Sequence, residues 1–270
     1  MKYRISYIAW MLLFACQPKQ QKTDPLIKGN QLPQAIVALA NTVKQFPDSM
    51  GLRFKLADIL DSAGAYQESL IQLDSLLNKD KANFGLWFKK ALVLTHNKDT
   101  TNAINAYLNA IKVYPSPDAL LALANLYAEK KDPTSLNLCK QVADLKLGRT
   151  YLAHTLFISG IYNARIGNTT NAIQFFNQCI ANNYSYMEAY MEKGFVYYDQ
   201  LKTKEALVVF QTVVTLKNNY PDGYYWMAKC YELLPDKAAA IDNYQKALTL
   251  DNTLKEASDA ILRLKKASGS

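Results

Sequence analysis

From Pro33 onward, apolar and polar positions alternate with the three-and-four spacing of amphipathic helices. Short turn-forming stretches interrupt them, such as Ser62-Ala63-Gly64, Ile166-Gly167-Asn168 and Leu234-Pro235-Asp236. The pattern also repeats against itself. Trp87 to Leu94 aligns with Tyr190 to Tyr197 and with Tyr224 to Tyr231. Each stretch is followed by a second fragment: Ala103-Ile104 with Tyr107 and Ala110, Ala206-Leu207 with Phe210 and Val213, and Ala240-Ile241 with Tyr244 and Ala247. Units start near Met50, Phe84, Pro117, Ala153, Met187 and Pro221, at spacings of 34, 33, 36, 34 and 34 residues. A fixed period of this size predicts stacked two-helix units, each burying its apolar face only against its neighbours.

Within a unit, four positions carry the pattern. Position 8 holds Ala57, Ala91, Ala124, Gly160, Gly194 and Ala228, all small, as required where two helices cross closely. Position 20, the facing slot, holds Ser69, Ala103, Leu136, Ala172, Ala206 and Ala240. Position 24 supplies bulk through Leu73, Tyr107, Phe176, Phe210 and Tyr244, with Lys140 the exception. Position 27 is Leu76, Ala110, Ala143, Cys179, Val213 and Ala247. Ordinary amphipathicity explains apolar spacing but not small residues recurring at fixed slots. These residues resemble the tetratricopeptide repeat (TPR) family, whose pattern is W-x₂-L-G-x₂-Y followed by A, F and A.

That resemblance implies an all-α fold, a right-handed α–α superhelix with one continuous core. The solenoid is expected over 33–266, with units near 50–83, 84–116, 117–152, 153–186, 187–220 and 221–254. Pro33 to Phe46 reads as a lone second-type helix, with Ala35 at position 20 and Leu39 at 24. Lys255 to Lys266 reads as a capping helix, with Ala257, Ile261 and Leu264 opposite its charges. The third unit is degenerate: Leu136 and Lys140 break the pattern, and Lys146 to Thr150 adds residues before the fourth.

The N-terminus follows other rules. Two cations in Met1-Lys2-Tyr3-Arg4 precede an apolar run from Ile5 to Ala15 broken by Ser6. As a helix this run rises about 16 Å, short of a hydrocarbon layer of roughly 30 Å. The pattern is that of a signal peptide over 1–15. Leu13-Phe14-Ala15-Cys16 resembles a bacterial lipobox, which implies cleavage before Cys16 and its acylation; Phe14 is bulkier than that family's usual residue. Residues 16–32 then read as a lipidated Cys and a flexible tether, QPKQQKTDPLIKG being polar and aperiodic.

The charge sharpens the picture by subtraction. Half of the formal +8 falls in the first 30 residues, leaving a mildly basic body of mixed sign. That is no nucleic-acid footprint, and a tyrosine-rich stretch from Tyr184 to Tyr231 lacks the interleaved cations of a stacking platform. His96 and His154 have no partner at metal-ligand spacing, and no phosphate loop, nucleophile elbow or HExxH occurs. Asp58 and Asp61 share a helix face and read as solvated. Cys139, Cys179 and Cys230 read as small buried hydrophobes. No enzyme, cofactor or metal is expected.

What remains is the concave surface, lined in this family by positions 2, 5, 9, 12 and 13 of each unit. Position 5 is Phe54, Phe88, Leu121, Phe157, Met191 and Tyr225; position 9 is Asp58, Leu92, Asn125, Ile161, Phe195 and Lys229. Phe88/Leu92, Phe157/Ile161 and Met191/Phe195 would present apolar pairs one helical turn apart. The candidate groove is therefore Phe54, Phe88, Leu92, Asn125, Phe157, Ile161, Met191, Phe195, Tyr225 and Lys229. TPR proteins that grip acidic chaperone tails use Lys and Asn at positions 5 and 9; Phe54 and Asp58 in the first unit argue against such a clamp. The expected function is a lipid-anchored adaptor of protein partners in the bacterial envelope, on the outer membrane facing the periplasm. The alternative is a glycan-binding surface lipoprotein of a carbohydrate-uptake system.

Overall fold

The structure is a computed structural model that describes residues 33–266, and the signal peptide, Cys16 and tether expected over 1–32 lie outside them. Every regular element among the described residues is an α-helix. A lone α1 (Gln34–Gln45) precedes six antiparallel pairs: α2 (Met50–Ser62) with α3 (Tyr66–Lys79), α4 (Phe84–His96) with α5 (Thr100–Val113), and α6 (Pro117–Glu129) with α7 (Thr134–Asp144). They continue as α8 (Arg149–Arg165) with α9 (Thr169–Asn182), α10 (Met187–Asp199) with α11 (Thr203–Leu216), and α12 (Pro221–Leu233) with α13 (Lys237–Leu250). A further helix, α14 (Lys255–Lys266), follows these pairs. By their contacts the described residues fall into two compact units, dividing after Leu123 inside α6.

Local chemistry sets the helix ends. Ser49, Asn83, Asp99, Asn168 and Asp236 accept from backbone N–H groups three residues on, capping α2, α4, α5, α9 and α13. Ser116 Oγ does the same for α6 at 3.1 Å. In five of the six pairs the turn reverses direction through one left-handed residue. Gly64 and Gly167 supply it without strain, whereas Lys98, Lys131 and Leu201 adopt it with a side chain.

The small-residue slots behave as the spacing requires. All six position 8 residues are buried, and Ser69 Oγ at position 20 donates to the Ala57 carbonyl at 2.7 Å across the pair. Gly160 lies against the Phe176 ring so closely that an added Cβ would sit 2.5 Å from Cε1; Gly194 meets Phe210 the same way. The position 24 side chains Leu73, Tyr107, Phe176, Phe210 and Tyr244 are almost wholly buried. At the far end, Ala257, Ala260 and Ile261 of α14 pack on Ala228 and Tyr244.

The third pair corrects the register read from sequence. Its buried residues on α7 are Ser135, Leu138, Cys139 and Val142, while Lys140 is exposed. Slots 20, 24 and 27 are thus filled by Ser135, Cys139 and Val142. One residue is missing between left-handed Lys131 and Ser135, which moves every later side chain of α7 back by one.

Candidate functional site

Within unit 1, the first helices of the pairs carry an accessible aromatic face. Phe54 on α2 is 38% exposed. Phe88 on α4 is half-buried, its ring edge-on to Tyr107 at 5.8 Å and stacked on Phe84 at 5.6 Å. Phe84 in turn meets the exposed Tyr114 edge-on at 5.7 Å. Leu92, one turn beyond Phe88, is half-buried. Phe84 and Tyr114 are not among the groove residues that the repeat positions predict. Phe84 is four residues before Phe88 and so shares its helix face, a signal that was available; Tyr114 lies in the connection after α5, where no periodicity points.

In unit 2 the corresponding row is closed, which corrects half of the expected groove. Phe157, Ile161, Met191 and Phe195 are all buried. Phe157 packs on Tyr186 at 4.9 Å and Phe176 at 6.0 Å, and Phe195 packs on Trp226 at 4.7 Å and Phe210 at 5.8 Å. Each is covered by a bulky aromatic of the next pair, a contact invisible to within-helix spacing. Asn125, Tyr225 and Lys229 are half-buried; Tyr225 is edge-on to Tyr244 at 5.5 Å. These seven do not form one apolar face.

Polar groups on the first helices pair with one another. In unit 1, Asp61 is buried, contrary to its solvated reading, and takes a hydrogen bond from Lys89 Nζ at 2.9 Å and lies 2.7 Å from His96 Nδ1. Lys89 also reaches Asp58 at 2.5 Å. Burial pushes the Asp61 carboxyl up, but His96 and Lys89 together outweigh it and hold it below the usual carboxylate range. In unit 2, Arg165 forks onto Glu129 at 2.8 and 3.0 Å and reaches Glu192 at 3.1 Å. Glu192 is sealed from solvent, and burial raises its carboxyl against the pull of Arg165. Both clusters tie successive pairs together as ion-paired clamps between helices.

Cys139, Cys179 and Cys230 are free and buried, their thiols each pushed up to about 12 by burial. A thiol so disposed packs rather than reacts. Among the described residues, no group of His, Cys, Asp and Glu is arranged to hold a metal ion, and no helix is long and apolar enough to cross a membrane.

Helix pairs crossing at small residues, with a bulky residue filling the gap between them, define a helical repeat solenoid. Models described as "Tetratricopeptide repeat" match residues 26–85, 88–135 and 221–254, just over half of the sequence. The chain belongs to the tetratricopeptide repeat family, whose members are generally non-catalytic scaffolds. A tetratricopeptide repeat protein from Parabacteroides merdae ATCC 43184 shares the fold with a TM-score of 0.71 at 18% identity, covering 86% of this chain and 91% of that one. PilW, described as a type IV pilus biogenesis factor, gives 0.64 at 16% identity over 80% of this chain and 99% of its own. The APC/C hetero-tetramer Cut9-Hcn1 gives 0.62 at 14% identity, over 86% of this chain and 46% of the matched one.

Proposed function

We propose that the protein is an adaptor of the bacterial envelope, anchored through an acylated Cys16, that holds a partner segment on the aromatic face of unit 1. The observation that carries this reading is the contrast between equivalent positions. Phe54 and the Phe84–Phe88–Tyr114 cluster stay accessible, while Phe157, Met191 and Phe195 are sealed. Aromatic rings left partly open on a stacked-helix wall offer a large, rigid contact area to a guest chain at little entropic cost. An apolar or aromatic segment is the complement of that surface. The fold supports partner binding in general: PilW acts in pilus biogenesis and Cut9 is found joined to Hcn1. Gln17, in place of the Asp linked to inner-membrane retention, favours the outer membrane, facing the periplasm.

The test places a photo-crosslinking amino acid at Phe54 and, as control, at exposed Leu108 on α5, in the chain expressed in native envelopes. Adducts of one defined size from position 54 and none from 108 are expected; equal labelling at both positions would refute the face. Fatty-acid labelling lost in Cys16→Ser tests the anchor separately.

A further inference from the structure

The connection between α7 and α8 differs from the others in unit 2. α7 stops at Asp144, α8 starts at Arg149, four residues ahead of the unit start, and every residue from Asp144 to Thr150 is exposed. Among them Leu145 is 51% and Leu147 45% exposed, and Leu152 in the first turn of α8 is 39% exposed. Lys146 and Arg149 stand between these leucines and have no ion-pair partner among the described residues, and the nearby Asp144 is taken by Lys140 at 2.5 Å. Successive helices of unit 2 run in opposite directions, so the α9–α10 connection lies at the same end. It carries Tyr184, 73% exposed, and its Tyr186 hydroxyl meets His154 of α8 at 2.9 Å, which makes the two connections neighbours.

We infer that this end of unit 2 rests on an anionic lipid surface, with Leu145, Leu147 and Leu152 entering the headgroup boundary and Lys146 and Arg149 meeting lipid phosphates. The leucines project singly from a connection and a first helical turn, separated by cations, and form no concave seat. A protein partner would need a shape to match each projection, whereas a fluid headgroup layer receives separate projections without one. Unpartnered Lys and Arg complement an anionic leaflet, and an exposed Tyr beside them suits the boundary between headgroup and acyl chain. The contact does not depend on Cys16 and is distinct from the aromatic face of unit 1.

The experiment uses the chain from residue 16 onward carrying Cys16→Ser, so that neither the apolar run Ile5–Ala15 nor an acyl chain contributes, in co-sedimentation with vesicles. Phosphatidylcholine alone is compared with a mixture containing about 30 mol% phosphatidylglycerol. The expected result is binding to the anionic vesicles that weakens as salt rises. Lys146→Glu with Arg149→Glu is expected to lower it about tenfold or more, and Leu145→Ser with Leu147→Ser several-fold, both variants keeping the parent's circular dichroism and melting curve. Because all four residues are exposed, neither variant endangers the fold. Equal vesicle binding by the parent and both variants would overturn the inference, as would absence of binding to either vesicle. Capture of polyglutamate without vesicle binding would also overturn it, assigning the patch to an acidic polypeptide.

Discussion

Gly160 and Phe176 form one contact read from two ends. The phenyl ring occupies the volume that a Cβ at position 160 would need, 2.5 Å from Cε1, and Gly194 with Phe210 repeats the arrangement. Where position 8 is Ala, position 24 is Leu73, Tyr107, Cys139 or Tyr244 instead. Gly160→Ala is therefore expected to cost about 1–2 kcal/mol in chemical denaturation, overpacking exceeding the gain in helix propensity. Adding Phe176→Leu should recover part of that loss, with a coupling of about 1 kcal/mol or more; strict additivity would show that the ring does not occupy the slot. Asp61 makes a second residue-level case. Burial raises its carboxyl, but His96 and Lys89 bring it net below the usual range. A folded-state pKa below the unfolded value of about 3.9 stabilises the fold above that pH and loses the contribution as pH falls through the folded value. Asp61→Asn should lower stability at neutral pH by about 1–3 kcal/mol and flatten its decline below about pH 4. An unaltered acid limb would contradict the clamp. The sequence pairs Asp58 with Asp61 on one face but has no means of showing that Lys89, a repeat later, bonds both while Asp61 alone is buried against His96.

At the scale of elements, helix number and order are legible because each pair repeats the same slots, while the third pair lacks one residue in its turn and shifts its slots by one. Counting from Pro117 lands on Leu136 and Lys140, yet the buried slots are Ser135, Cys139 and Val142. The deletion lies in a turn, where apolar periodicity carries no information, so only packing reveals it. Lys140→Ala should change stability by less than about 0.5 kcal/mol, its exposed pair with Asp144 contributing little. Cys139→Asp, which places a carboxylate in a sealed slot, should cost about 3 kcal/mol or more. The reverse ranking in urea melts would restore the uncorrected register.

At the scale of the whole molecule, two compact units divide between them what looked in sequence like one uniform wall. Period and slot chemistry exposed the fold because they depend on contacts inside a pair or with the next one. Accessibility does not follow from them: Phe54 and Phe157 share position 5, but Tyr186 covers Phe157 while Phe54 stays open. The account stands on that open face of unit 1. It is tested most directly by titrating the partner identified by crosslinking at Phe54 against the parent, Phe54→Glu with Phe88→Glu, and Ile71→Glu on exposed α3. The account predicts at least about a tenfold loss of affinity for the first variant, none for Ile71→Glu, and helical signal retained in both. Undiminished affinity in a folded Phe54→Glu, Phe88→Glu protein would contradict it.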